Sequence, residues 1–200
     1  MTAARGRGRP RLDDTGDDKR GQILDAAREM FAEKGFERTT MRAIGTRAGV
    51  DPALIHHYFG TKNDLLVAAL RPEIDPTTLF AGIADRGTGV GREFVERVVG
   101  FWEDNPQQRS RAVALLRIAV THEQVADRLR EFFIDVATTV LGDVARADDR
   151  ERRIALVVSQ MFGLVLARYV MKVGEIETAT AAELGRSVGA TIDNYLLGDL

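Results

Sequence analysis

The stretch from Thr39 to Leu65 constrains the fold more than any other part of the chain. Its sequence is TTMRAIGTRAGVDPALIHHYFGTKNDL. Apolar residues recur at spacings of three and four on both sides of Gly49, which predicts two short helices joined by a tight turn. Asp51 is a favoured N-cap residue, and Pro52 suits the first helical position, where its missing N–H is no loss. The stretch therefore predicts a helix-turn-helix. A third helix is expected to follow, behind a capping box of Thr61 and Asp64.

The polar side of the second helix carries the functional signal. Residues three and four apart share a helix face, so Ala53, His56 and His57 lie together, with Pro52 beside His56. A small residue lets the helix backbone approach a surface, and the imidazole rings offer hydrogen-bond donors and acceptors. Three basic residues flank this face: Arg42, Arg47 and Lys62. Such a helix suits the major groove of DNA. The alternative is a helical hairpin whose charges are only solvated.

From about residue 19 to residue 70, the chain resembles the DNA-binding domain of the tetracycline-repressor (TetR) family of bacterial transcriptional regulators. The runs that carry the resemblance are ILDAAREMFAEKGFERTT, MRAIGTRAGV and HHYFGTKNDLL. The resemblance implies DNA contacts at Thr40, Arg42, Pro52, Ala53, His56, His57 and Lys62. Two positions depart from the family pattern. Leu54 stands where threonine is frequent, and His56–His57 stands where aromatic pairs are frequent. Leu54 is kept as a candidate contact to a thymine methyl group, the alternative being a core residue.

Residues 1–18 are predicted to form a disordered basic arm, because they contain almost no apolar side chain. Arginines at positions 5, 7, 9 and 11 alternate with small residues up to Pro10. An extended arginine arm can enter the minor groove of DNA, and the sequence Arg7-Gly8-Arg9-Pro10 resembles the core of an AT-hook. Arg7 and Arg9 are therefore candidate DNA contacts, and a merely solvated tail is the alternative. Charge is distributed accordingly, since residues 1–62 carry a net charge of +3 and the remainder −5.

The remainder of the chain, residues 71–200, is predicted to be a helical ligand-binding and dimerisation domain. No run alternates as a strand would, so the fold class is predicted to be all-α. Helices are expected over residues 75–84, 91–103 and 151–173, with others beginning near Pro106, Thr121 and Thr180. Predicted N-terminal caps are Asp75, Asn105, Thr121, the pair Asp148 and Glu151, and the pair Thr180 and Glu183. The domain boundary is placed between the helix-turn-helix domain, residues 19–70, and this region.

Bulky side chains in the second region are candidate walls of a ligand pocket: Phe94, Trp102, His122, Phe133, Met161 and Phe162. Gln160 and Arg168 are further candidates to orient a ligand. The competing interpretation is that aromatic residues at helical spacing form the ordinary core. The last two long helices are apolar on more than one face, which favours a partner chain. The resemblance also implies a homodimer formed through these helices.

Composition limits the other classes of function. The chain has no cysteine, so disulfides, thiolate metal sites and cysteine nucleophiles are excluded, and a reducing cytoplasm is expected. Adjacent histidines point about 100° apart on a helix, so no metal site or cofactor is predicted. No secretory signal is recognised. The apolar run 154–171 is interrupted by polar residues, so we expect a helix buried on most sides and no membrane association.

The sequence thus predicts a sequence-specific DNA-binding regulator that is not an enzyme. We expect a ligand-responsive repressor that binds a palindromic operator as a homodimer and responds to an unknown small-molecule inducer. Activation in place of repression is left open. One alternative is a non-specific architectural DNA-binding protein that uses the arginine arm. Another is a small helical enzyme or carrier with an incidental helix-turn-helix, although no catalytic set or phosphate-binding loop is recognised.

Overall fold

The computed structural model describes residues 12–200, and the candidate contacts Arg7 and Arg9 lie outside that range. Every regular element within it is helical, which confirms the all-α fold class. The described chain divides into two compact units, one ending at Leu70 and the other spanning Arg71–Leu200. Each unit has its own buried apolar core.

Within its described residues, the N-terminal unit has four helices: α1 (Leu12–Arg38), α2 (Met41–Ala48), α3 (Pro52–Phe59) and α4 (Lys62–Leu70). Helix α1 packs against α2 and α4, and α3 packs against α2 and α4. Ile44 of α2, Ile55 of α3 and Leu65 of α4 are buried. So is the apolar stripe of α1: Ile23, Ala26, Ala27, Met30 and Phe31. These helices are short, so burial of their apolar faces supplies most of their stability.

Helix α1 begins before the first helix that the sequence predicts, over residues 19–34. It begins at Leu12, inside the segment 1–18 for which the sequence predicts a disordered arm. That segment is rich in aspartate, a residue type that helix N-termini favour because of their positive dipole end. Gly35 breaks the helix with a left-handed φ of 76° and a ψ of 170°, at the residue where the sequence predicts the end of the first helix. Phe36 packs back against Phe31, with ring centroids 6.0 Å apart, and the helical segment resumes as far as Arg38.

The C-terminal unit contains seven α-helical segments: α5 (Pro76–Leu79), α6 (Val90–Asp104), α7 (Pro106–Ala119), α8 (Glu123–Leu141), α9 (Arg150–Val165), α10 (Gly174–Thr178) and α11 (Ala181–Leu197). A 3₁₀ turn covers Ala84–Arg86, and a π-helical turn, Leu166–Val170, extends α9. Helix α11 packs on α6 and α9, and α8 packs on α7 and α9.

Several predicted helix starts are wrong in this unit. The helix expected over residues 75–84 is a single turn, although Asp75 caps it as predicted. Thr121 does not cap α8, because its hydroxyl donates to the Ile118 carbonyl and His122 occupies the N-cap position. Asp148 and Glu151 form no capping box, because Asp148 pairs with Arg153 and Asp149 precedes α9. The capping box of Thr180 and Glu183 is confirmed on both sides.

Glycines bring α6 and α11 into close contact. A Cβ atom on Gly189 would lie 2.4 Å from the Arg92 Cα, and one on Gly91 would lie 2.3 Å from the Gly189 carbonyl oxygen. Asp193 accepts a 2.7 Å hydrogen bond from the Gly91 N–H at the same crossing. Only glycine permits this approach, since any Cβ would meet backbone atoms.

The helical stretch Arg150–Val170 is long and apolar enough to cross a membrane by length and composition, with a mean hydropathy of 1.4. Only 33% of its most apolar window is buried within the chain. The expectation of a helix buried on most sides is therefore wrong for a single chain. Ala155, Ser159 and Gly163, spaced four residues apart, are exposed along one face of α9.

Candidate nucleic-acid interface and apolar cavity

The turn between α2 and α3 is fixed by local hydrogen bonds. The Thr40 hydroxyl accepts from the Ala43 N–H, so Thr40 is the N-cap of α2. Its neighbour Thr39 is fully buried and donates to the Met30 and Gly35 carbonyls instead. Gly49 ends α2 in the left-handed conformation at φ 66° and ψ 31°, as predicted. The chain therefore enters α3 along a tightly defined path.

Helix α3 begins where the sequence places it. The Asp51 carboxylate accepts from the Ala53 N–H at 2.7 Å, and Pro52 takes the first turn. Ile55 and Phe59 are buried, whereas Ala53, His56 and His57 are exposed. Pro52 and Leu54 are half-buried, so Leu54 keeps part of its side chain at the surface. Helix α3 thus presents a short polar face bounded by apolar packing.

His56 has a defined hydrogen-bond polarity. Its Nδ1 lies 2.9 Å from the Gly60 carbonyl oxygen. A carbonyl oxygen only accepts, so Nδ1 must carry the proton in this bond. In the neutral ring, Nε2 is then an acceptor on an exposed side chain. His57 contacts Tyr58, with ring centroids 5.6 Å apart.

The three basic residues near α3 have different surroundings. Arg42 is exposed, and no described residue forms an ion pair with it. Lys62 lies over the Phe36 ring, with Nζ 4.2 Å from the centroid, and also contacts the Glu37 carbonyl at 3.4 Å. Arg47 is bound to α1, since its guanidinium donates to Glu33 at 2.8 and 2.9 Å and to Glu29 at 3.0 Å. The Arg47 hydrogen bond lowers the pKa of Glu33, so the pair is charged at neutral pH.

The C-terminal unit contains an apolar cavity of about 80 Å³. Five of the six predicted pocket residues line it: Phe94, Trp102, Phe133, Met161 and Phe162. His122 does not, because its Nδ1 bonds to the Ile118 carbonyl and the Thr121 hydroxyl near the start of α8. Gln160 is likewise absent from the lining. Phe80, Phe101, a proline, two alanines and aliphatic residues complete the wall. Sequence spacing does not distinguish this contribution from ordinary core.

Arg168 belongs to a polar cluster and not to this cavity. Its guanidinium donates to Glu103 at 3.1 and 3.2 Å, and Tyr169 donates to the same carboxylate oxygen at 2.9 Å. Burial and this hydrogen bond raise the pKa of Tyr169 to about 12. Burial opposes ionisation of Glu103, but the donors from Tyr169 and Arg168 outweigh it and lower the pKa of Glu103.

Family models match both units. The model described as "Bacterial regulatory proteins, tetR family" matches residues 23–69, and "Tetracyclin repressor-like, C-terminal domain" matches residues 88–196. This chain belongs to the TetR family of transcriptional regulators. The prediction drawn from the resemblance is therefore confirmed, and it extends to the C-terminal unit. Proteins of this family bind DNA through the helix-turn-helix.

Individual relatives support the same family membership. The chain is 29% identical to the transcriptional regulator BetI of Rhizobium meliloti over 141 residues, which are 67% of this chain and 70% of BetI. It is 32% identical to the transcriptional activator FasR of Mycolicibacterium smegmatis over 118 residues, 57% of this chain and 53% of FasR. A crystal structure of a TetR-family regulator from Streptomyces coelicolor has 30% identity and a TM-score of 0.71, covering 94% of this chain and 99% of that one. These relatives are named regulators, and one of them is an activator.

Proposed function

We propose that this TetR-family protein is a homodimeric, ligand-responsive repressor that binds a near-palindromic operator in the cytoplasm. The observation that carries the proposal is the exposed polar face of α3, formed by Ala53, His56 and His57. In a dimer, the two α3 helices would enter successive major grooves, with half-sites about 34–36 Å apart. No catalytic role is proposed for any residue.

Each residue near α3 receives a role from its surroundings. The acceptor Nε2 of neutral His56 suits an amino group in the major groove, such as adenine N6 or cytosine N4. Exposed Arg42 suits a phosphate, as does the exposed Thr40 at the start of α2. Lys62, held over Phe36, would reach a phosphate only by leaving that ring or by extending past it. Leu54 and Pro52 would contribute apolar contacts at the edge of the face.

The test of DNA recognition uses genomic fragments that the protein retains, with its own promoter region included. His56→Ala and His57→Ala should each reduce the preference for operator over random DNA by roughly 1–3 kcal/mol for each base hydrogen bond that is removed. His122→Ala is the matched control, because the third histidine lies in the C-terminal unit. Full operator preference in both α3 variants would exclude them from base recognition. Equal binding of the wild type to every fragment would favour the architectural alternative.

The uncovered face of α9 supports the homodimer. Ala155, Ser159 and Gly163 are exposed along it, and small side chains allow two helices to approach closely. Ser159→Arg would place a large charge at the centre of this face, whereas Arg152→Lys keeps an exposed charge at its edge. We expect light scattering to give about twice the chain mass for the wild type and Arg152→Lys. Ser159→Arg should be a monomer with much weaker operator binding, and an unchanged dimer would place the interface elsewhere.

Residues 1–11 supply the proposed arginine arm, including Arg7 and Arg9. Their deletion should leave folding intact and lower the salt slope of log affinity by about 0.9 for each phosphate that the arm neutralises. Insertion into the minor groove would make the decrease in affinity larger on A·T flanks, where that groove is narrow. A decrease independent of flanking sequence would indicate a charged tail, and unchanged affinity would remove the arm from the site.

A further inference from the structure

The apolar cavity of the C-terminal unit is larger than a packing defect. A space of roughly 10–15 Å³ is enough for one water molecule, whereas this cavity measures about 80 Å³. Natural cores contain few voids larger than a water molecule. All twenty residues that line it have apolar or aromatic side chains, so the space does not favour water. The wall is suited to a molecule that is mostly hydrocarbon.

One polar group in this wall has no partner. Trp102 lines the cavity and is 4% exposed. Its indole Nε1 is fully buried and finds no hydrogen-bond acceptor within the described chain. Indole N–H is a donor only, and leaving a buried donor unpaired costs stability. Among the side chains that line the cavity, this is the only nitrogen or oxygen atom.

Arg168 and His122, two of the polar residues predicted to contact a ligand, both have partners and do not line the cavity. Arg168 is bound to Glu103, and His122 is bound to the Ile118 carbonyl. An ionised ligand group placed against the apolar wall would therefore lose its hydration without gaining a counter-charge, which is strongly unfavourable. The wall selects against carboxylates and ammonium groups.

We propose that the effector of this protein is an uncharged, mostly hydrocarbon molecule with one acceptor oxygen that bonds to the Trp102 Nε1–H. The inference rests on the ligand response in the proposed function and specifies its chemistry. A ketone, ester or ether oxygen would satisfy the unpaired donor, while the hydrocarbon part replaces the void around Met161 and Phe162. Trp102 is then the residue that distinguishes this effector from a plain hydrocarbon.

The test compares two small probes of nearly identical shape, cyclohexanone and methylenecyclohexane. They differ in a C=O group that accepts a hydrogen bond and a C=CH₂ group that does not. Trp102 is the only tryptophan in the chain, so the full-length protein gives one indole N–H signal in NMR. We expect the ketone to bind about fivefold more tightly than the alkene. Only the ketone should move the indole proton downfield, and cyclohexanecarboxylate should not bind.

Two variants separate the hydrogen bond from the apolar wall. Trp102→Phe removes the donor and should bring the ketone-to-alkene ratio close to one. Phe162→Leu alters the wall, so it should weaken both probes while leaving the ratio near five. If Trp102→Phe fails to fold, the downfield shift of the indole proton in the wild type still tests whether the ketone accepts a hydrogen bond from Trp102.

The proposal is overturned if neither probe binds, if the two bind equally without a downfield shift, or if the carboxylate binds more tightly than the ketone. Operator binding is measured separately in the presence of the ketone. Ketone binding with the expected shift but unchanged operator affinity would support this chemistry and contradict the proposed ligand response. Failure of the ligand-free wild type to recognise any operator would contradict the DNA-binding proposal alone.

Discussion

The hydrogen bonds that start the recognition helices and those that fix the α6–α11 crossing join residues at very different distances in sequence. In the N-terminal unit, Thr40, Asp51 and Thr61 cap helices through partners two or three residues away. In the C-terminal unit, Asp193 binds the Gly91 N–H across 102 residues. Local bonds fix the direction of a short helix, whereas distant contacts fix how long helices pack. The recognition face is therefore built from neighbours, and the cavity depends on the whole bundle.

The largest expected effect tests the helix crossing of the C-terminal unit. Gly189→Ala places a Cβ atom 2.4 Å from the Arg92 Cα, so α6 or α11 must move. We expect the free energy of unfolding to fall by about 3 kcal/mol. Chemical denaturation at fixed protein concentration measures it.

Gly100→Ala is the control for this crossing, because no atom lies within 4 Å of the added Cβ. It should stabilise α6 by about 0.5–1 kcal/mol, since alanine loses less conformational entropy than glycine in a helix. Equal effects of the two substitutions would mean that the crossing is not tightly packed.

A second long-range interaction is made by the buried guanidinium of Arg153. It is 1% exposed and donates to the Tyr195 and Gly198 carbonyls and to Asp148. Arg153→Leu removes the guanidinium donor from these half-buried carbonyls and should cost about 2–3 kcal/mol in denaturation experiments. Arg152→Leu, at the exposed neighbouring position, should change stability by less than about 0.5 kcal/mol. Similar decreases in both variants would contradict the role assigned to Arg153.

The ion pair of Arg153 with Asp148 also predicts that the free energy of unfolding depends on pH. The Arg153 hydrogen bond lowers the pKa of Asp148, so its contribution is present above the ordinary aspartate pKa. It is lost as the pH falls through the lowered value. The stability difference between wild type and Arg153→Leu should therefore narrow in acid without closing, because the backbone bonds remain. If the stability difference between the wild type and Arg153→Leu stayed constant as the pH fell through the Asp148 pKa, Asp148 would not contribute to the stability.

Two arginines of α2 differ in their surroundings, since Arg42 is exposed and Arg47 is held in ion pairs with α1. Arg42→Ala should weaken DNA binding and lower its salt slope by about 0.9, with little change in stability. Arg47→Ala breaks the ion pairs with Glu29 and Glu33 and should lower the stability only slightly, because exposed ion pairs contribute little. Its salt slope should stay unchanged. Binding titrations at several salt concentrations measure the salt slope, and thermal unfolding measures the stability. A lowered salt slope for Arg47→Ala but not for Arg42→Ala would contradict the assigned roles.

The smallest expected effect concerns Tyr169. Burial and the bond to Glu103 raise its pKa to about 12, so the associated stability is present below the ordinary tyrosine pKa and is lost as pH rises through about 12. Glu103→Gln removes the negative acceptor and should lower the Tyr169 pKa, though burial keeps it above the ordinary value. NMR titration of the tyrosine ring carbons measures this. Glu175→Gln in α10 is the control and should leave the titration unchanged.

Local sequence signals are sufficient to predict the helix-turn-helix. Apolar spacing, the Asp51–Pro52 start and Gly49 each act within a few residues, so they predict α2, α3 and the exposed Ala53, His56 and His57. The same reasoning predicted the capping box of Thr180 and Glu183, which is confirmed by the structure.

Tertiary packing determines which polar side chains remain free to bind DNA or a ligand. From the sequence, Arg47 is available to bind DNA, but in the structure it forms an ion pair with Glu33. Arg168 is a candidate pocket residue, but in the structure it forms an ion pair with Glu103. Asp148 is predicted to cap α9 and instead pairs with Arg153, whose guanidinium also bonds to the Tyr195 carbonyl of α11. Local propensity cannot foresee these outcomes, because each partner is brought in by packing. The unpaired Trp102 N–H is the same kind of fact, since only the assembled bundle surrounds that indole with apolar groups.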